Sequence, residues 1–536
     1  MKTNRSVGVI ACAVVVAFGS GGPLAAQQKP VVESVSPATM VRVGTVDERF
    51  QSYNIEMVEV IGGRFWKPYA KPGEAEAKAV PSSAQSTNKN QPVGMDPNLY
   101  QYRPPIDLSN PRLRKLAAAL GPAYVRVSGT WANSVYFQDT DGPATATAPK
   151  GFGGVLTRQQ WKGVVDFVHA TDAELVTSFA TSVGTRDASG VWTSDQAQKL
   201  LDYTKSIGGN IAAAEYMNEP TFAVIGGAPK GYDAADFGRD IKVFLPFIRK
   251  AEPKMIFLGP GGVGEGGSLL PAGMKLLSTA DLLKATGPVY DAFSYHFYGA
   301  VSQRCARMGG VAAITPAQAL SEDWLGRAAT VEKFYARLRD EYEPGKAMWL
   351  TETADAACGG NPWASTFLDS FRYLDQHGQL AKMGVQVVMH NTLASSDYGL
   401  LDENTLAPRP NYWAALLWHK LMGTTVLDAG ASPAANLHLY AQCLEGHPGG
   451  VALLAINADR EAAQELSVPV RSERYTLTAA KLMDTAVELN GKTLTVDAAG
   501  DVPALAGTKE KAGKVMLAPE SITFLAMPKA DNQSCR

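Results

Sequence analysis

From about residue 50 to about residue 425 one pattern repeats, a short apolar run followed by a longer amphipathic stretch. The runs fall at Ser52–Ile61, Ala123–Val127, Glu174–Phe179, Ile211–Met217, Met255–Leu258, Ala292–Tyr295, Ala347–Thr351 and Val385–His390. Strands separated by helices pair in parallel, because a parallel neighbour is reached only through a crossover long enough to hold a helix. Eight such units is the number that closes a barrel. The expected fold is therefore α/β, a (β/α)8 TIM barrel over 46–425. One intervening helix is legible in detail: Pro111 opens it, Leu113, Leu116, Ala117 and Leu120 form its apolar stripe, and Gly121 stops it.

Beyond residue 425 the period shortens to two, as in Leu437–Leu444, Val451–Asn457, Tyr475–Lys481 and Ser521–Ala526, which predicts an antiparallel β-sandwich domain over 426–536. The segment 27–45 is expected to join it. Residues 67–110 break the barrel rhythm with Pro68, Pro72, Pro81, Pro92, Pro97, Pro104 and Pro105 among polar residues. An insertion of that length is functional or disordered, and it is expected to lie partly ordered over the active face. Lys2, Arg5, the apolar run Val7–Phe18 and Ala25-Ala26 read as a cleavable signal over 1–26, too short to span a bilayer. No later run approaches eighteen apolar residues, so no membrane insertion is expected, and a secreted or periplasmic protein is.

Removing Lys2 and Arg5 from 50 basic residues, against 52 acidic ones, leaves the exported chain about four charges negative, which implies no nucleic-acid surface. Cys12 leaves with the signal. Cys305, Cys358, Cys443 and Cys535 remain, an even number that suggests two disulfides in an oxidising compartment, with three pairings open to spacing alone. No C-x-x-C pair occurs, so neither a metal nor a cofactor is read from the sequence. The oligomeric state is not legible.

Two glutamates carry the chemistry: Glu219 in Ala-Ala-Ala-Glu-Tyr-Met-Asn-Glu-Pro (212–220), and Glu352 in Met-Trp-Leu-Thr-Glu-Thr (348–353). Carboxylates at the C-terminal ends of two barrel strands sit where barrel enzymes keep their reacting groups and can flank one glycosidic bond. Asn218 places an amide beside Glu219, suited to a sugar hydroxyl. Tyr298, after the sixth strand, is positioned to donate its phenol to Glu352 and hold it ionised. For His296 two readings stand equal, a hydrogen bond within the barrel top or contact with substrate. Trp131, Trp324 and Trp363 carry no assignment, since most tryptophans pack.

The segments Gly-Pro-Ala-Tyr-Val-Arg-Val-Ser-Gly-Thr (121–130), Asn-Glu-Pro (218–220), Thr-Glu-Thr-Ala-Asp-Ala-Ala-Cys-Gly-Gly (351–360), Met-Gly-Val-Gln-Val-Val-Met (383–389), Leu-Leu-Asp-Glu-Asn (400–404) and Pro-Asn-Tyr-Trp-Ala-Ala-Leu-Leu-Trp-His-Lys-Leu-Met-Gly-Thr (410–424) resemble glycoside hydrolase family 79, the heparanase-like β-glucuronidases, in its bacterial branch. The resemblance covers most of the exported chain. It implies a barrel bearing a β-sandwich, Glu219 as acid/base and Glu352 as nucleophile of a retaining reaction, and glucuronate recognition by Glu56, Thr130 and Tyr398. It also implies that the loop amides of Gly359 and Gly360 receive the sugar carboxylate, as oriented N–H groups bind anions. Asn391 stands where heparanase has a glutamine, Ala357 where it has a tyrosine, and Cys358 where it has a glycine. The resemblance pairs Cys443 with Cys535. That leaves Cys305 and Cys358 to each other, on neighbouring loops after the sixth and seventh strands.

Heparanase's basic clusters are missing here, with Gly264-Glu265-Gly266-Gly267 in one corresponding place, and its excised segment has no counterpart between Phe137 and Gly163. The implied activity is an exo-β-glucuronidase acting on a glucuronic-acid-containing glycan or glucuronide. An endo-acting glucuronidase and an idle glycan-binding homologue are the alternatives.

Overall fold

The computed structural model describes residues 33–69, 96–267, 276–309, 313–432 and 434–536. The expected signal at 1–26, and residues 70–95 of the insertion, lie outside the described residues. Eight parallel strands close a barrel in chain order: β1 (Gln51–Glu56), β2 (Ala123–Ser128), β3 (Ala173–Ser178), β4 (Ile211–Glu215), β5 (Ile256–Gly262), β6 (Ala292–Tyr298), β7 (Ala347–Ala354) and β8 (Val385–His390), with β8 returning to β1.

Strand side chains alternate between two sides. Tyr124, Val176, Ala213, Leu258, Ala292, Trp349, Val387 and Met389 face inward and fill the barrel as one cluster, with the Tyr124 and Trp349 rings 4.9 Å apart. Val125, Val127, Leu175, Phe257, Phe293 and Leu350 face the surrounding helices. The interior is thus plugged, and polar chemistry is confined to the C-terminal mouth.

Several boundaries differ from the sequence reading. The run Ser52–Ile61 is not one strand: β1 ends at Glu56, and Met57–Ile61 is a helix fastened by reciprocal bonds between Glu56 and Glu59. A short run buried all round carries no period that separates strand from helix. Strands β5, β6 and β7 run on past their expected ends, so His296, Tyr298 and Glu352 lie on strands rather than after them. The expected division at 425/426 is straddled by a strand, Met422–Leu427, which pairs with Arg42–Thr45.

That pair begins an antiparallel sheet continuing through Leu437–Leu444, Val451–Asn457, Ser521–Met527 and Ser472–Thr478, faced by a smaller, mixed sheet of Glu33–Ser34, Gln464–Val468 and Gly513–Leu517. Val451–Asn457 is buried along its whole length because both its faces are covered. Val451, Leu453 and Ala455 pack toward the smaller sheet, while Ala452, Leu454 and Ile456 join the barrel's core.

A charged clip adds to this apolar seam. His438 reaches Asp375 on one ring nitrogen and Glu322 on the other (3.0 Å), and the Tyr440 hydroxyl donates to Asp375 (2.7 Å). Burial opposes the imidazolium, yet the two carboxylates push His438 up to about 9. The Cys443–Cys535 bridge ties the C-terminus to the sandwich, a loop closure worth on the order of 4–5 kcal/mol in the chain-entropy model. No helix among the described residues is long and apolar enough to cross a membrane.

Candidate active site

Above the apolar plug lies a layer of paired charge. Arg126, inward on β2 and 1% exposed, donates to Glu215 on β4 (2.8 Å), to Asn218 Oδ1 (2.7 Å) and to Glu352 Oε2 (3.0 Å). Glu215 also accepts from Ser294 and Thr351, both at 2.8 Å. Burial alone would raise the Glu215 carboxyl, but Arg126 and His296 hold it below the usual range. A buried charge costs heavily unless it is paired and hydrogen bonded, and here it is both.

Glu352 reaches the site through a register irregularity. Trp349 and Thr351 face inward, so strict alternation would turn Glu352 out. Instead Tyr295 pairs with Leu350 while the next residue, His296, pairs with Glu352, a bulge at Thr351 that turns two successive side chains inward. Glu352 then accepts from the Tyr298 hydroxyl (2.6 Å) and from Arg126, donors that fit a carboxylate ready to attack.

Glu219 lies just past β4 with φ +48° and caps a short turn at Pro220–Phe222. Its Oε1 pairs with His296 Nδ1 at 3.0 Å. Burial first, then repulsion by Glu352, raise its pKa despite the histidine, which suits a proton donor. For His296 itself burial opposes the charge, but Glu352, Glu219 and Glu215 outweigh it and raise the pKa. Asn133 grips Asn218 from both sides, accepting from its backbone N–H (2.9 Å) and donating to its carbonyl (2.8 Å). The structure thus brings His296 onto Glu219, while Asn218 is held against Arg126.

Oxygens of Glu219 and Glu352 and a ring nitrogen of His296 all lie within 4.8 Å of one another. Among the described residues this is also the one trio spaced to grip a metal ion, but the fixed Arg126 charge on Glu352 opposes a cation there. The chemistry open to such an arrangement is proton transfer and nucleophilic attack.

Asn391, following β8, links β1, β6 and the turn at Tyr398: its amide donates to Glu56 Oε1 (3.0 Å), to the Tyr298 hydroxyl (3.1 Å) and to that of Tyr398 (3.2 Å). Burial, and then the charge of Glu352, hold Glu56 well above the usual carboxylate range. Thr130, partly exposed, follows Gly129 at the end of β2. A Cβ on Gly129, whose φ is +90°, would stand 1.5 Å from Glu56 Oε2. Gly129→Ala is accordingly expected to displace Glu56, lowering Tm by several degrees and kcat/KM at least about tenfold. A variant unchanged in both calorimetry and kinetics contradicts this placement of Glu56.

The loop after β7 runs through three left-handed residues, Cys358 (φ +66°), Gly359 (+82°) and Gly360 (+84°). A Cβ on Gly359 would meet Trp66 at 2.6 Å, and one on Gly360 would meet Tyr398 N at 3.1 Å. The Gly360 amide already donates to the Ala356 carbonyl (3.2 Å), which removes it from the pair of anion donors expected from the sequence. Cys305 and Cys358 are bonded, and backbone bonds zip the two loops together: Ser302 N–H to Ala357 O (3.0 Å) and Ala357 N–H to Ala300 O (2.9 Å). Arg304 stacks on Tyr69 (4.0 Å), donates to the Lys67 carbonyl and pairs with Asp397. The near flank of the insertion is thereby anchored beside the loop.

Trp131, Trp324 and Trp363 are all buried packing residues, whereas Trp66, stacked on Tyr100 at 4.6 Å, stays half-buried at the loop. Arg126, Glu215, Asn133 and Trp66 were missed as site residues. A signal existed for the first two, since a charge inside each of two otherwise apolar barrel strands must find a partner.

An eight-stranded barrel with two unlike carboxyl groups facing each other at its mouth has the form of a glycoside hydrolase site. The description "Glycosyl hydrolase family 79, N-terminal domain" matches residues 104–378, just over half the chain, and the chain belongs to glycoside hydrolase family 79. Heparanase of Mus musculus is 28% identical over 524 residues, covering 85% of this chain and 92% of that one. Baicalin-β-D-glucuronidase of Scutellaria baicalensis is 25% identical over 465 residues, covering 79% and 84%. A 4-O-α-L-rhamnosyl-β-D-glucuronidase from Fusarium oxysporum shares the fold, with a TM-score of 0.58 and 14% identity over 93% of this chain and all of that one.

Proposed function

We propose that this protein is an exported exo-β-glucuronidase that hydrolyses with retention. The observation that carries the reading is that an oxygen of Glu219 and one of Glu352 lie within 4.8 Å of each other, which supports the close pairing of retaining enzymes, whose carboxyl groups stand roughly 5–5.5 Å apart, over the roughly 6.5–9.5 Å that inverting ones need to admit a water. Glu352 attacks the anomeric carbon as Glu219 gives its proton to the departing oxygen, leaving a glycosyl ester on Glu352. Glu219, now ionised, takes a proton from the water that opens the ester, and the sugar leaves with its original configuration. The partner is a glucuronide or glucuronate-ended glycan, its carboxylate received at the Ala356–Gly360 loop and its ring by Asn218, Glu56, Thr130, Asn391 and Tyr398.

Exo action is supported by the hairpin of Gly63–Trp66 and Tyr100–Arg103, which stands against the carboxylate loop and walls that side. Export is supported by the two bridges, which suit an oxidising compartment. A cleft beside His296 and Tyr298 includes Glu265, Asp323 and Arg327 in its lining. Arg327 is already paired with Asp323 (2.7 Å), so among the described lining residues no spare cation awaits a sulfate. The expected result with aryl glycosides differing only at C6 is turnover of the glucuronide at least about a hundredfold faster than of the glucoside, with the β-anomer appearing first by NMR. Equal rates on both sugars, or the α-anomer first, contradict the proposal, and oligosaccharides cut internally favour the endo alternative.

A further inference from the structure

We propose that Asp355 is a positioning residue for uronate recognition, its buried carboxyl group closing the Ala356–Gly360 loop from beneath and holding it in the shape that receives the sugar carboxylate. This rests on the glucuronidase reading above.

Thr353 and Asp355 at the end of β7 point away from the barrel mouth toward the helix Phe367–Lys382, where Gln376 donates to Thr353 Oγ1 (3.0 Å). Asp355 is completely buried. Its Oδ2 accepts from both the backbone N–H (3.0 Å) and the side-chain amide (3.1 Å) of Asn361, fastening the residue after the loop to the residue before it. Its Oδ1 makes no well-formed hydrogen bond and lies against Gly360, where a Cβ would meet it at 3.0 Å. The bridge to Cys305 and the backbone bonds to Ala300 and Ser302 hold the loop from the side of β6, and this carboxyl group supports it from beneath.

Among the described residues the cation nearest in charge to it is committed elsewhere. Arg372 on the same helix is spent on Asp369 through two bonds of 2.7 Å and on Gln376 (2.8 Å), and Asp369 also accepts from Asn411 (2.7 Å). Burial first, then repulsion by Asp369, push Asp355 up to about 8, which Arg372 only partly offsets. On the loop's other side Asp397, paired with Arg304, is raised only to about 6, so it is already charged where Asp355 begins to ionise. Below about pH 8 the folded protein keeps the Asp355 proton. Above it a negative charge appears under Gly360, where it repels a uronate and strains the Asn361 clasp, while a sugar without a carboxylate escapes the direct repulsion.

The test is calorimetric binding of D-glucuronate, a ligand that stays ionised across the range, to the full chain at pH 7 and pH 9.5. Wild type is expected to lose about tenfold in affinity between the two. Asp355→Asn, which fixes the neutral shape, should hold its affinity within about twofold, and Asp355→Ser serves as a second uncharged variant if the first folds poorly. Uncharged variants that still show the wild-type alkaline loss overturn the proposal. Wild type that fails to bind glucuronate at either pH contradicts the glucuronidase reading itself, and the inference falls with it.

Discussion

Glu352→Gln is expected to retain less than about one part in 10^4 of wild-type turnover on every glucuronide, including those with activated aryl leaving groups. The amide keeps nearly the same shape and can still accept from Tyr298, which is buried and donates at 2.6 Å, so the fold should survive. What is lost is the attacking oxygen, and no better leaving group restores it. Glu219→Gln should behave differently: it loses only the proton donor, so a substrate whose phenolate departs unaided should still form the glycosyl ester at a substantial rate. Steady-state and burst kinetics on one activated aryl glucuronide separate the two. Equal residual rates in both variants would refute the division of roles.

Arg126→Gln is expected to cost roughly 3–5 kcal/mol of stability in urea unfolding, together with most of the activity. Arg126 is 1% exposed and holds Glu215, Asn218 and Glu352 at once. Removing it leaves the Glu215 carboxylate buried without its chief countercharge, and frees Glu352 and Asn218 to move. Arg126→Lys keeps the charge but loses the planar fork, so it should recover stability better than catalysis. A Glu215→Gln change added to Arg126→Gln should restore part of the stability, because a neutral amide replaces the stranded charge. A loss under about 1 kcal/mol in the single variant contradicts the pairing described here.

The barrel was legible because its evidence is additive: eight short runs, seven of them too short for a helix, and each followed by an amphipathic stretch, leave few alternatives to a closed parallel sheet. Val385–His390, Leu437–Leu444 and Val451–Asn457 fall where the sequence reading puts them, since turn residues bound them on both sides. The β1 boundary was not legible, because Glu56 and Glu59 form their reciprocal cap inside a segment that Tyr53, Ile55, Met57, Val58, Val60 and Ile61 make read as one continuous strand. At the site, residue identity was readable and orientation was not. Alternation alone sends Glu352 outward, and only the bulge at Thr351, a matter of pairing between β6 and β7, returns it to the mouth. The Arg126–Glu215 pair joins strands well separated in sequence, so its function appears only once the barrel has closed. The same holds for Gly360, whose amide the sequence offers to a ligand and the fold gives to Ala356.

The most direct test of the central claim is to incubate Glu219→Gln with an activated aryl glucuronide, quench, and map the peptides by mass spectrometry. A glucuronyl group esterified to Glu352 is the predicted result, since the first step proceeds with a good leaving group while the second lacks its base. A variant that releases a full equivalent of phenol yet carries the sugar on another residue, or on none, contradicts the account.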